Sequence, residues 1–126
     1  MRFINTRIHG VLDYLTAGLM MASPAIFNFA RGGPETSAPI ALGITVMLYS
    51  FCTRYEFGAI KAIPMHLHLI LDFFGGLFLA SSPWLLGFAD FVYVPHLAIG
   101  VFEMVVPLFT QIHPSRQERE QSVAHA

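Results

Sequence analysis

Polar and apolar positions in this chain come in long blocks rather than alternating residue by residue. Four apolar stretches, 8–29, 38–53, 64–88 and 95–112, are separated by short segments rich in Gly, Pro and charge, the longest running from Arg54 to Lys61. Each stretch is close to the ~20 residues that cross a ~30 Å hydrocarbon core. Inside lipid every backbone amide must be bonded within its own segment, so four such runs this close together predict four helices and almost no strand.

The blocks also repeat. His9, Leu12, Asp13, Ser23, Pro24, Phe29 and Ala30 recur 59 positions later as His68, Leu71, Asp72, Ser82, Pro83, Phe88 and Ala89. A second match, at a shift of 57, pairs Gly43 with Gly100. A repeat at fixed spacing defines an architecture before any other feature does. Each copy is a helical hairpin with an even number of crossings, so both copies point the same way. The prediction is all-α: a four-transmembrane-helix bundle built from two tandem hairpin repeats, with a pseudo-two-fold axis along the membrane normal. Repeat 1 covers 8–53 and repeat 2 covers 64–112, joined by the loop 54–63, with an N-terminal segment 1–7 and a polar tail 113–126. Ala17-Gly18, Gly75-Gly76, Gly43 and Gly100 supply the small residues that let helices approach closely.

Composition agrees with this division. Of 126 residues 55% are hydrophobic and 12% charged, where a globular domain carries about a quarter charged. A net charge of −1 excludes a nucleic-acid footprint. If the spans alternate, Arg2, Arg7, Arg54, Lys61, Arg116 and Arg119 fall on one side and Arg31 on the other, which places both termini in the cytoplasm. Arg2, Arg7 and the apolar run up to Ala22 imitate a signal peptide, but Asp13 interrupts that run and the second copy lies mid-chain. The single cysteine, Cys52, excludes an intramolecular disulfide and a Cys-rich zinc site. The lipid bilayer is the expected partner, with homo-oligomerisation open.

Ser23-Pro24 and Ser82-Pro83 carry a helix N-terminal signal, with serine as cap and proline at the first helical position. Each dipeptide is expected to kink or stop its span near the outer interface, with a short interfacial helix following. Trp84, near Phe88, Phe91 and Tyr93, suits an aromatic belt there. Ala80-Ser-Ser-Pro-Trp-Leu-Leu-Gly-Phe88, with its weaker copy Ala22-Ser-Pro-Ala-Ile-Phe-Asn-Phe29, resembles the bacterial SPW-repeat family of integral membrane proteins over about residues 3 to 112. The first copy departs from the motif at Ala25, in the Trp position, and Asn28, in the Gly position. The resemblance implies a small multi-span protein of the bacterial cytoplasmic membrane and supplies no reaction.

Ionisable groups inside a membrane cost a few kcal/mol each and therefore need partners. His9, Asp13, His68, Asp72 and Glu103 are the candidate polar core. Within each repeat His and Asp are four apart, on one helix face. Glu103 has no acidic counterpart, Val46 or Ile44 standing in its place. Three readings stay open. A polar staple would fix helix register in a structural or stress-related membrane component. A relay through the carboxylates and imidazoles would carry protons or a small cation. His9 and His68 would otherwise ligate a haem, or with His66, Asp13 and Asp72 a divalent metal, although no cofactor is required by the sequence. His66, with Arg7 in the equivalent place, reads as interfacial, and His96, His113 and His125 receive no role. Ser23 and Ser82 lie roughly 15 to 20 Å from the histidines along the helix, too far for a hydrolytic dyad. No nucleophile-base-acid set or phosphate loop appears, so an enzyme is the weaker class of answer.

Overall fold

A computed structural model describes residues 2–113; Arg116, Arg119 and His125, and the tail beyond His113, lie outside them. The described residues form four helices, α1 (Thr6–Ile26), α2 (Pro34–Phe51), α3 (Met65–Leu85) and α4 (Val94–Leu108). Asn5 caps α1 by accepting from the Ile8 amide at 2.8 Å. Proline sits in the first two positions of α2 and α4, where an amide hydrogen is not needed. The fourth helix is the shortest. It stops at Leu108 because Thr110 and its neighbours pair instead with the strand-like segment before α1.

The two halves repeat much of their bonding. α1 and α3 match residue for residue at the 59-residue shift. Ile4 pairs with Thr110 and Ile63 with Thr53 in isolated parallel bridges. The Ile4 amide donates to Phe109 O at 2.9 Å and the Ile63 amide to Cys52 O at 2.7 Å. The end of α2 is thereby tied to the start of α3, and the end of α4 to the start of α1. α1 packs mainly on α2 and α3 mainly on α4, with thinner seams between α2 and α3 and between α1 and α4. Glycine makes the two main crossings possible. A Cβ on Gly43 would lie 2.8 Å from Ala17 O, and one on Gly100 2.6 Å from Gly76 O.

The Ser-Pro dipeptides act differently from the capping expected of them. They lie in the last turns of α1 and α3 rather than opening a new helix, and no separate helix follows among the described residues. Proline has no amide hydrogen for the carbonyl four residues back. Here the preceding serine fills that gap: Ser23 Oγ donates to Met20 O at 2.8 Å and Ser82 Oγ to Leu79 O at 2.7 Å. The helices then end in left-handed residues, Asn28 (φ 57°) and Gly87 (φ 80°). The next amides, Phe29 and Phe88, turn back to Pro24 O and Pro83 O, which is a Schellman termination. Glycine adopts this backbone freely and asparagine tolerates it, so Asn28 keeps the geometry of the Gly position.

At this Ser-Pro end Phe29 and Phe88 are buried against His96, each ring centred 4.8 Å from the imidazole. His96 Nε2 donates to Glu35 O at 2.8 Å, the carbonyl that Pro39 leaves without its helical donor. Between the ends, Ala17, Met20, Val46, Leu79 and Ile99 form the apolar core. At the opposite end the 54–63 loop folds back over the bundle. Tyr55 is fully buried with Met65 and Leu69, and Gly10 makes room for the loop, since a Cβ there would lie 2.9 Å from the Tyr55 ring.

Candidate functional site

Four residues is just over one helical turn, so His9 and Asp13 share a face of α1 while His68 and Asp72 share a face of α3. Those two faces meet beneath the 54–63 loop. His9 Nε2 lies 2.9 Å from Asp13 Oδ1 and 2.7 Å from Asp72 Oδ2. His68 Nε2 lies 2.9 Å from Asp13 Oδ2 and 3.2 Å from Asp72 Oδ2. Each imidazole thus contacts the aspartate of its own helix and that of the other. The rings stand edge to face with centroids 5.3 Å apart. None of the four residues is more than 2% exposed.

A second layer fixes their chemistry. Thr110 Oγ1 is 2.8 Å from His9 Nδ1, and Thr53 Oγ1 is 2.7 Å from His68 Nδ1. Each threonine hydroxyl also donates to the carbonyl four residues earlier, Val106 O at 2.7 Å and Tyr49 O at 2.6 Å. A hydroxyl has one proton. With that proton committed, threonine accepts from the ring, so Nδ1 carries a hydrogen on both histidines and Nε2 faces the carboxylates. The carboxylates are held by phenols: Tyr49 OH donates to Asp72 Oδ1, and Tyr55 OH to Asp13 Oδ2 at 3.0 Å. Burial, and then the Asp13 charge, push the Tyr55 phenol far above its ordinary range, so it stays protonated and donating.

One donor atom from each of His9, Asp13, His68 and Asp72 lies within 4.8 Å of the other three, a group able to hold a metal ion. Both Nε2 atoms sit within about hydrogen-bonding distance of one oxygen, Asp72 Oδ2. That closeness leaves no gap for a macrocycle between the rings and favours an ion over a haem.

The remaining sequence candidates lie elsewhere. Glu103 is buried on α4 with its Cβ 2.8 Å from the place a Gly76 Cβ would take. No hydrogen bond reaches its carboxylate among the described residues, and it stands outside the converging quartet. Ser23, Pro24, Ser82 and Pro83 are buried at the far end in the helix-ending role described above. Trp84 is 57% exposed beside Tyr93, with ring centroids 5.7 Å apart. His66 is exposed. Reasoning from sequence missed Thr53, Thr110, Tyr49, Tyr55 and His96. The threonines had a signal, since the 57-residue shift that pairs Gly43 with Gly100 also pairs Thr53 with Thr110.

Fold and site together define a small all-α protein of two helical hairpins joined through a buried His/Asp node. The SPW repeat domain family matches residues 7–110, and the chain belongs to that family. Neither the curated proteins nor the solved structures include a match to it.

Proposed function

We propose that the chain is a four-span integral protein of the bacterial cytoplasmic membrane, a structural component whose hairpins are stapled together by His9, Asp13, His68 and Asp72. The observation that carries this reading is an inversion of polarity. The interior holds His9, Asp13, His68, Asp72, His96 and Glu103, while Leu15, Leu48, Phe74, Leu85, Val94 and Leu108 are more than half exposed. Large apolar patches are rarely exposed on soluble proteins, whereas lipid accepts them. By length and composition, among the described residues, α3 is the helix long and apolar enough to cross a membrane; α4 is apolar but has 15 residues. α1, with 21 residues, is about 31 Å long at 1.5 Å per residue. It is less apolar than α3 because Gly10, Tyr14 and Thr16 stand where α3 has Leu69, Phe73 and Gly75.

The staple is favoured over a proton or cation pathway by its burial and its closure. Each imidazole is occupied on both nitrogens' sides by protein groups, and the 54–63 loop covers the node. Lipid supplies the partner for the outer surface, and the basic residues Arg2, Arg7, Arg54 and Lys61 support a cytoplasmic loop end.

Single-cysteine labelling in intact cells tests the topology, in a Cys52→Ser background. Gly32→Cys and Asp90→Cys should react with an impermeant maleimide from outside, and Phe57→Cys only after permeabilisation. Release of the chain from membranes by alkaline carbonate, or labelling of all three positions alike, would refute the four-span reading.

A further inference from the structure

We propose that His9, Asp13, His68 and Asp72 are the ligands of one divalent first-row cation, for which zinc is the best match. Hydrogen positions decide what the node can accept. Because Thr53 and Thr110 accept from Nδ1, a neutral ring presents a bare Nε2 lone pair to the carboxylates. Two lone pairs facing each other at hydrogen-bonding distance repel unless a positive centre lies between them. That centre is a proton, on the ring or on the facing carboxyl, or a single metal ion.

The direction of His68 Nε2 favours the ion. Its Nε2 is completely buried and makes no hydrogen bond among the described residues, although Asp13 Oδ2 is 2.9 Å away. An imidazolium there would hold an N–H aimed at no oxygen, inside a dry core where every such group normally finds a partner. The same nitrogen, as a lone-pair donor, points into the space shared with His9 Nε2 and the two carboxylates. Two imidazoles and two carboxylates form an N2O2 set without thiolate, suited to zinc-like ions. The carboxylates also bring two negative charges, so a divalent ion leaves the buried site neutral.

The outer layer fits the same purpose. Metal-bound histidine typically donates its other N–H to a protein acceptor, and metal-bound carboxylate is itself hydrogen-bonded. Thr53 and Thr110 serve the rings, Tyr49 and Tyr55 the carboxylates. Four ligands around a tetrahedral zinc stand roughly 3.3 Å apart, from bonds of about 2.0–2.1 Å. The four N–O separations here run from 2.7 to 3.2 Å, using both oxygens of Asp13, and one donor atom from each residue lies within 4.8 Å of the others, so loading asks only for side-chain adjustment about a common centre. An ion at the node goes beyond the staple and does not need the membrane reading, since the node can join the hairpins with or without it.

The test uses the full chain, purified in detergent without a histidine tag, stripped by chelator and titrated with Co2+. The expected result is one Co2+ per chain, with the strong visible absorption of a tetrahedral site, displaced by Zn2+. Thr53→Val leaves all four ligands in place and is expected to weaken Co2+ binding roughly 10- to 100-fold, with Thr53→Ser restoring it. His68→Gln should abolish the absorption, and the Thr53 pair keeps the test decisive if that variant does not fold. A folded wild-type chain that takes up no Co2+ overturns the proposal. So does Co2+ absorption that persists in a folded His9→Gln/His68→Gln variant, or an affinity unchanged by Thr53→Val. A metal-free chain that is still strongly destabilised by Asp72→Ala would remove the ion and leave the staple standing.

Discussion

Hairpin α1–α2 brings Tyr49 to the node where hairpin α3–α4 has Val106, and it has Val46 where the other has Glu103. Inside this unequal frame the two hairpins agree on His, Asp and Thr, and on the backbone bonds that hold them. The agreement shows what the node requires, namely two imidazoles oriented from behind and two carboxylates in front. The disagreement shows what each hairpin adds alone. The first hairpin and its loop supply both phenols, Tyr49 and Tyr55; the second supplies the Glu103 carboxylate and, at the far end, His96 in place of Pro39.

Removing a carboxylate attacks what the hairpins share. Asp72→Ala should cost about 3–5 kcal/mol, because it leaves buried polar partners uncompensated, and Asp13→Ala should fall in the same range. Chemical unfolding in detergent measures both, and a large gap between them would show that the node is less symmetric than its distances. Gly76→Ala gives the second crossing the residue that the first already has at Ala17. Since a Cβ there would lie 2.6 Å from Gly100 O, the expected cost is about 1–3 kcal/mol of overpacking. A neutral result in the same unfolding assay would mean that the two crossings are interchangeable.

Next come the threonines. Thr53→Val and Thr110→Val each strand a buried ring N–H, at about 1–3 kcal/mol, and equal losses are expected from equivalent positions. Tyr49→Phe should cost about 1 kcal/mol or somewhat more as a donor to a charged group. Its counterpart Val106→Tyr should restore nothing, since Asp13 already has its donor in Tyr55. The smallest effect is at the helix ends. Asn28→Gly should stabilise by a few tenths of a kcal/mol, whereas Gly87→Ala should cost about 1 kcal/mol at its positive φ. Thermal midpoints of the pair resolve the sign.

Much of this was legible beforehand. The apolar blocks and the 59-residue shift located the helices to within a few residues, because helix faces follow from spacing alone. The same shift singled out His9, Asp13, His68 and Asp72, since a polar residue that recurs inside an apolar run must find its partner within the bundle. Tyr55 was not legible: its placement depends on how a loop folds back over Gly10, which no periodicity encodes. Nor was His96, whose partner is a carbonyl freed by a proline on another helix. Ser-Pro was legible as the place where α1 and α3 stop; the serine's repair of the carbonyl that proline frees was not, because the same dipeptide can also cap a new helix.

The paired bridges at Ile4/Thr110 and Thr53/Ile63 close the chain into a ring, each hairpin handing its end to the start of the other. One hairpin alone is therefore half an object, with a histidine whose threonine belongs to its neighbour. This is the layout that duplication and fusion of a single-hairpin homodimer would leave behind. It also means that the two seams are alike in backbone pairing but not in cover, since the covalent link at 54–63 also brings Tyr55 to Asp13.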